Sequence, residues 1–259
     1  MSNATTSAYA SYPSLQGRTV FVTGGSSGIG GDIVEAFARQ GAKVGFTGRS
    51  AEAASKVVAA AKQVGPEPLF LQSDAGDVGA LQAAIATVRE RFGPIGVLVN
   101  NVANDQRHAL MDVTPEDFDW RVSINLRPHF FAAQAVVKDM QSLGGGAIVN
   151  LGSTSWKIKG KGYPIYATCK SATVGLTRSL ARELGEFSIR VNTLTPGWIM
   201  TEKQLTTWVD EAGEQAMRDN HCLPGRILGS DVANMALFLS ADDSKMVTAQ
   251  DFVIDAGWT

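Results

Sequence analysis

The stretch YATCK sets Tyr166 and Lys170 at an i, i+4 spacing, which puts both side chains on one face of a helix. A tyrosine has a pKa of ~10 and works as a base only where a cation stabilises its phenolate. An ammonium ~4 Å away is worth on the order of 4 kcal/mol at an effective dielectric near 20, enough to lower a phenol by up to about three units. The pair therefore reads as a proton shuttle for neutral pH. Ser153, at the end of the apolar run AIVNL, is placed to hydrogen-bond the same substrate oxygen. Asn125, within SINLRP, is placed to support a water chain to Lys170. Tyr-x-x-x-Lys also occurs by chance on amphipathic surface helices, so the rest of the chain must decide.

A second stretch, TVFVTGGSSGIGGDIVEAF, puts Gly24, Gly28 and Gly30 between an apolar run and a helical pattern. Glycines there allow a tight turn and close approach of backbone to a ligand. The helix N-terminus behind them offers unpaired N–H groups and partial positive charge, a site for pyrophosphate. A tight turn without a ligand is the plainer alternative. After the next run, KVGFT, come Gly48, Arg49 and Ser50. A carboxylate at such a strand end reads a free ribose 2′-hydroxyl, whereas an arginine forks onto a 2′-phosphate. No carboxylate is present, so NADP is expected, with NAD as the alternative should Arg49 merely face solvent. Asp74, after LFLQS, suits either an adenine-edge contact or a helix cap.

The third stretch is NNVANDQRH, which crowds Asn104, Asp105, Gln106, Arg107 and His108 behind the apolar run GVLV. Such clusters are often solvated loops. In a doubly wound sheet, however, ligands lie beyond the carboxyl ends of the strands, so this loop is expected to rim a substrate pocket through Asn104, Gln106 and Arg107. Trp156 and Trp198 offer flat walls for it. Directed hydrogen-bonders beside aromatic faces suit a polyol. KIKGKG, residues 157–162, reads either as a solvated turn or as a cluster facing an anionic sugar acid.

Elements able to hold these groups are visible in the pattern. The runs TVFVT, KVGFT, LFLQ, GVLVN, AIVNL, IRVNTL and FVID alternate with segments of helical period, which argues an α/β fold with a parallel sheet and helices on both faces. Ile29, Ile33 and Phe37 recur every fourth residue on one face of the first helix, which Gly41 ends. Ser50 and Thr114 are predicted N-caps, the latter followed by Pro115. Residues 1–14 are expected to be a flexible tail and 15–259 a single domain. With 23 Lys plus Arg against 25 Asp plus Glu, the net charge of −2 gives no attraction for nucleic acid or an anionic membrane. Two cysteines and three histidines, widely scattered, suggest no metal site. The opening residues lack a secretory signal, so a cytoplasmic location is expected.

Taken together and in order, TGGSSGIG, NNVA, SINL, the serine of NLGS, YATCK and the Pro-Gly of TLTPGWIMT resemble the short-chain dehydrogenase/reductase family over residues 15–259. The resemblance implies a Rossmann-type, doubly wound sheet of seven strands. It implies that Tyr166 is the acid/base, that Lys170 holds the nicotinamide ribose, that Ser153 positions the reacting oxygen and that Asn125 anchors the relay. It extends the coenzyme set to Ser26, Ser27, Ile29, Ser50, Ala75, Asn101, Pro196, Gly197 and Ile199. A homotetramer built on the helices containing residues 120–143 and 163–186 is also implied. One departure is the Ala103 of Asn100-Asn101-Val102-Ala103, where the family usually has glycine, which stiffens the backbone. NDQRH, GSTSW and the terminal DAGW are similar to bacterial aldose 1-dehydrogenases of this family. That similarity implies oxidation of an anomeric hydroxyl to a lactone. The rival expectations are oxidoreduction of a sugar acid, and a coenzyme-binding regulatory protein without catalysis.

Overall fold

The computed structural model describes residues 9–259. Apolar residues of the central strands alternate in which face of the sheet they serve. In β1 (Thr19–Thr23), Val20 and Val22 join one buried cluster and Phe21 the other. β4 (Ile95–Asn100) and β5 (Gly146–Leu151) divide in the same way, Val97, Val99 and Val149 against Leu98 and Ile148. Strands buried on both faces carry continuous apolar runs, which is why TVFVT and GVLV lack a polar alternation.

With β2 (Lys43–Gly48), β3 (Leu69–Gln72), β6 (Ile189–Pro196) and β7 (Asp251–Ile254), the strands form one parallel sheet in the order β3-β2-β1-β4-β5-β6-β7. Its hydrophobic clusters are capped by helices on both faces. α1 (Gly28–Arg39), α2 (Ala51–Lys62) and α9 (Gly229–Ser240) cover one, while α3 (Val78–Phe92), α5 (Arg127–Ser142) and α6 (Pro164–Leu184) cover the other. The predicted stripe of α1 is divided: Ile33 and Phe37 are fully buried, and Ile29 packs only partly against the core. Gln40 caps that helix and Gly41 follows with φ of 77°, as the sequence predicts. Ser50 accepts from the Ala53 N–H, and Thr114 accepts from the Asp117 N–H at the start of α4 (Pro115–Asn125).

The predicted tail lies outside the described residues as far as residue 8. Its described end is tied to the domain: the Tyr12 N–H donates to Gln40 Oε1 at 2.8 Å, and Ser14 Oγ accepts from the Asp242 N–H. The remaining helices, α7 (Glu202–Thr207) and α8 (Glu211–Asn220), lie between β6 and α9. Among the described residues no helix is long and apolar enough to cross a membrane.

Strand order reverses between β1 and β4, where the chain leaves toward β2 and β3 and later returns on the other side. A crevice opens at such a switch point, beyond the carboxyl ends of the strands. Asn101 staples it: its Nδ2 donates to the Thr23 and Gly24 carbonyls at 3.1 and 2.9 Å, while Thr23 Oγ1 accepts from the backbone N–H groups of Asn101 and Val102.

Candidate active site

Two cavities occupy that crevice and share a wall formed by Ile29, Asn101, Ala103, Asp105, Thr201 and Gln204. One, of about 290 Å³, is bordered by Gly24, Ser26, Ser27, Gly30, Arg49, Asp74 and Ala75. Gly30 packs directly under the turn, where a Cβ would collide with the Gly24 carbonyl oxygen, and Gly24 itself has φ of 69°. Only glycine lets the turn fold this tightly. α2, α3 and α4 are capped by the side chains of Ser50, Asp77 and Thr114, but Ser27 makes no such bond and the N-terminus of α1 is left open beside this cavity. An uncapped helix N-terminus behind a glycine turn fits a diphosphate, so the residues present suit a dinucleotide coenzyme. Gly48 has no room for a side chain, since a Cβ would strike Ser26 Oγ, and Arg49 is exposed at the cavity edge with no ion pair among the described residues.

Details of the expected coenzyme set shift. Ser50 is a helix cap and Gly28 opens α1 against Thr201, so neither lines the cavity. Asp74 does not cap α3, a task that falls to Asp77; instead its Oδ1 accepts from the Gly76 N–H at 2.9 Å and it stays on the cavity wall. Pro196, Gly197 and Ile199 lie across the crevice, in the second cavity.

That second cavity, about 340 Å³, contains Ser153, Tyr166 and Lys170 together with Arg107, Tyr163, Trp198 and Trp258. β5 ends at Leu151 and delivers Ser153, while α6 carries Tyr166 and Lys170 on its inward face. Lys170 Nζ donates to the Leu151 carbonyl at 2.6 Å and lies 5.7 Å from the centre of the Tyr166 ring. Here burial works against the expected lowering. Burial raises the Tyr166 phenol above its ordinary value, opposed by hydrogen bonding from Ser153, and the carboxylate of Asp105 pushes it further up. Lys170 spends one of its three N–H donors on Leu151, and burial brings its own pKa down to about 8. Sequence spacing gives a shared helix face but says nothing of the burial of both partners.

Asn125 is buried and its amide is fully used: Oδ1 accepts from the Asn104 N–H at 2.8 Å, and Nδ2 donates to the carbonyls of Asn104 and Arg121. Arg121 donates to the Gln106 carbonyl at 2.9 Å, and the His108 N–H donates to Gly162 at 2.8 Å. The loop NDQRH is therefore held from α4 and from the start of α6. Within it only Asp105 and Arg107 reach the second cavity. Asn104 Oδ1 instead accepts from the Gln106 N–H, Gln106 is exposed, and Trp156 lies outside the lining with Lys157 5.3 Å from its ring centre. Lys157 in turn pairs with Asp251 at 3.0 Å, and neither Lys159 nor Lys161 lines the cavity, so KIKGKG presents no cationic wall.

Sequence reading missed several lining residues. Asp105 stood in the quoted loop, where an acid among amides was the available signal. Thr201 ends the quoted TLTPGWIMT but was not singled out, Gln204 lies in α7, a stretch with no motif, and Tyr163 was passed over beside Tyr166. Arg107 is held flat between two rings, its Cζ 4.0 Å from the Tyr163 centroid and 5.1 Å from that of Trp208.

Comparison with known proteins agrees with this geometry. Residues 24–259 match the family described as enoyl-(acyl carrier protein) reductase. The chain is a short-chain dehydrogenase/reductase. It is accordingly an NAD(P)-dependent oxidoreductase, as members of the family are. It is 44% identical over 247 residues to a Rhizobium meliloti protein named "Probable galactose dehydrogenase GalD", covering 95% of this chain and 96% of that one. It is 41% identical over 247 residues to the D-xylose 1-dehydrogenase of Caulobacter vibrioides, covering 95% and 98%. A solved structure of a blue fluorescent protein from a metagenomic library, in complex with NADPH, superposes with a TM-score of 0.87 at 34% identity, covering 95% and 99%.

Proposed function

We propose that this dehydrogenase oxidises the anomeric hydroxyl of an aldose, a pentose, hexose or 6-deoxyhexose, to the lactone. The observation that carries the reading is the wall of the Tyr166 cavity, where Asp105, Arg107 and Gln204 supply directed polar groups beside the rings of Trp198 and Trp258. Such a wall reads hydroxyls and disfavours a plain acyl chain or steroid. Similarity to the galactose and D-xylose dehydrogenases supports the same substrate class. The sugar-acid alternative loses the lysines that suggested it, because Lys157 is neutralised by Asp251.

In this reading Tyr166 takes the proton from the O1 hydroxyl, and Ser153 holds that oxygen by hydrogen bonding to it. Lys170 holds the nicotinamide ribose, and its ammonium stabilises the phenolate as the proton moves. Asn125 acts through the backbone it anchors at Asn104. When bound, the nicotinamide coenzyme supplies the hydride acceptor. The glycine turn with Ser26, Ser27 and the open end of α1 holds its diphosphate, and Asp74 with Ala75 faces the adenine. We assign NADP as the preferred coenzyme because Arg49, which makes no ion pair among the described residues, stands at the ribose end and Gly48 admits no acid; NAD is the alternative. The homotetramer and the cytoplasmic location belong to the same proposal.

The test is a panel of aldoses and sugar acids, each with NADP and with NAD, followed by the absorbance of the reduced nicotinamide. Turnover of neutral aldoses with NADP, and formation of a lactone that hydrolyses to the acid, is the expected result. Turnover confined to sugar acids, or no turnover at all, overturns the reading.

A further inference from the structure

Asp105 is the one carboxylate bordering both cavities. Its neighbours do not share its position, since Asn104 turns its Oδ1 to the Gln106 N–H and Gln106 is exposed. Its two oxygens are held from α7: Oδ1 pairs with Lys203 Nζ, and Oδ2 accepts from Gln204 Nε2 at 3.1 Å. Gln204 Oε1 accepts from Trp198 Nε1 at 2.8 Å, so the bonding continues to the wall after β6. A carboxylate is an acceptor-only group with about four lone-pair sites, more than its bonds from Lys203, Gln204 and its own backbone N–H use. Pairing with Lys203 keeps the group charged, and its charge is felt at Tyr166 and at Lys170. The other charged group of the loop that lines the cavity, Arg107, is fixed by its aromatic neighbours and carries donors only.

A charged acceptor and a charged donor thus face one cavity from a single loop. Resting on the sugar reading, we propose that Asp105 is the specificity-determining residue of this site, accepting hydrogen bonds from two neighbouring hydroxyls of the sugar. Vicinal diols match the two-oxygen spacing of a carboxylate, and the negative charge selects against a substrate that places its own carboxylate there. The bond from Gln204 then holds the carboxylate in register for reading stereochemistry, while Lys203 keeps it charged.

The experiment compares wild type, Asp105→Asn and Lys203→Met on a set of epimeric and deoxy aldoses with saturating coenzyme. Asp105→Asn keeps an oxygen for Gln204 but loses the charge and one acceptor. It should lower kcat/KM for the best aldose by roughly 10- to 150-fold, mainly through KM, and level the preference among epimers at two adjacent positions. It should also move the rising limb of the kcat/KM profile to lower pH, since the charge that opposes Tyr166 ionisation is gone. Lys203→Met removes the ion pair alone and should keep the epimer preference, whatever it does to the overall rate. If both variants lose rate equally while the preference persists, Asp105 only fastens α7, and the proposal is overturned. An Asp105→Asn variant with unchanged sugar kinetics overturns it as well. Failure of wild type to oxidise any aldose is the different result that removes the sugar reading itself, and this proposal with it.

Discussion

The coenzyme-side cavity takes most of its wall from the glycine turn and the ends of neighbouring strands, joined by Lys203 and Gln204 of α7, whereas the Tyr166 cavity sets long side chains from distant stretches, Arg107, Trp198, Gln204 and Trp258, around Tyr166. Gly24, Ser26, Ser27 and Gly30 occupy one turn of chain, and Arg49, Asp74 and Ala75 sit at the next two strand ends. By contrast, Asp105 meets Gln204 across 99 residues, and Arg107 meets Trp208 and Tyr163 from separate elements. A site made of backbone is specified by local chain geometry and serves one ligand shape. One made of long side chains can be re-dressed by substitution while the proton-transfer pair stays in place. In the proposed reading the first region holds the coenzyme and the second selects the substrate.

The sharpest way to break that division is at the proton-transfer residue of the second cavity. Tyr166→Phe keeps the ring and removes the ionisable oxygen, so turnover should fall by about 10²- to 10⁴-fold while NADPH affinity, read by fluorescence titration, stays near wild type. A variant retaining half of wild-type turnover would remove Tyr166 from the chemistry. The raised phenol pKa adds a sign to test. Because the active base is the deprotonated form, kcat/KM for oxidation should climb with pH through neutrality and be lost in acid. A rate that is flat over this range would mean that another group takes the proton.

How much of each region is visible in sequence follows from the same contrast. Glycine spacing, strand-end positions and the i, i+4 pair are one-dimensional facts that survive folding, so the sheet, its helices, the turn and Tyr166 with Lys170 were all legible. Which polar residue of NDQRH turns inward was not. That choice depends on Asn125 and Arg121 of α4 seizing the backbone at Asn104 and Gln106, and on α7 arriving to meet Asp105. Neither partner leaves a mark in the loop itself. The direction of the Tyr166 shift was hidden for a similar reason, since spacing reports proximity to Lys170 but not the burial of both groups.

On the coenzyme side the expected effect is intermediate. Arg49→Ala should weaken NADP binding by about 1.5–3 kcal/mol, the range for hydrogen bonds to a charged group, and leave NAD little changed. Paired dissociation constants for the two coenzymes decide the matter. Equal losses would place Arg49 in support of the shared diphosphate or of the fold, and NADP preference would need another origin.

The smallest effect should come from Asn104, the residue that the sequence ranked beside Arg107 for reading sugar hydroxyls. Arg107 lines the cavity and offers several donors, so Arg107→Ala should lower kcat/KM by roughly 5- to 150-fold, the range for an unpaired buried partner. Asn104 places its Oδ1 on the Gln106 N–H, and its backbone is pinned from both sides by Asn125. Asn104→Ala removes the first bond and leaves the other two, at a cost of about 0.5–1.5 kcal/mol to the loop and none paid directly by the sugar. Its kcat/KM should then fall by less than about fivefold, with epimer preference intact, because Asp105 and Arg107 keep their anchors. Asn125→Ala should be worse than Asn104→Ala, since it frees the loop backbone itself and strands a buried N–H and carbonyl. If Asn104→Ala instead flattens the epimer preference as strongly as Arg107→Ala, its side chain reaches the sugar once substrate is bound, and the boundary between the wall and its supports lies one residue earlier in the loop.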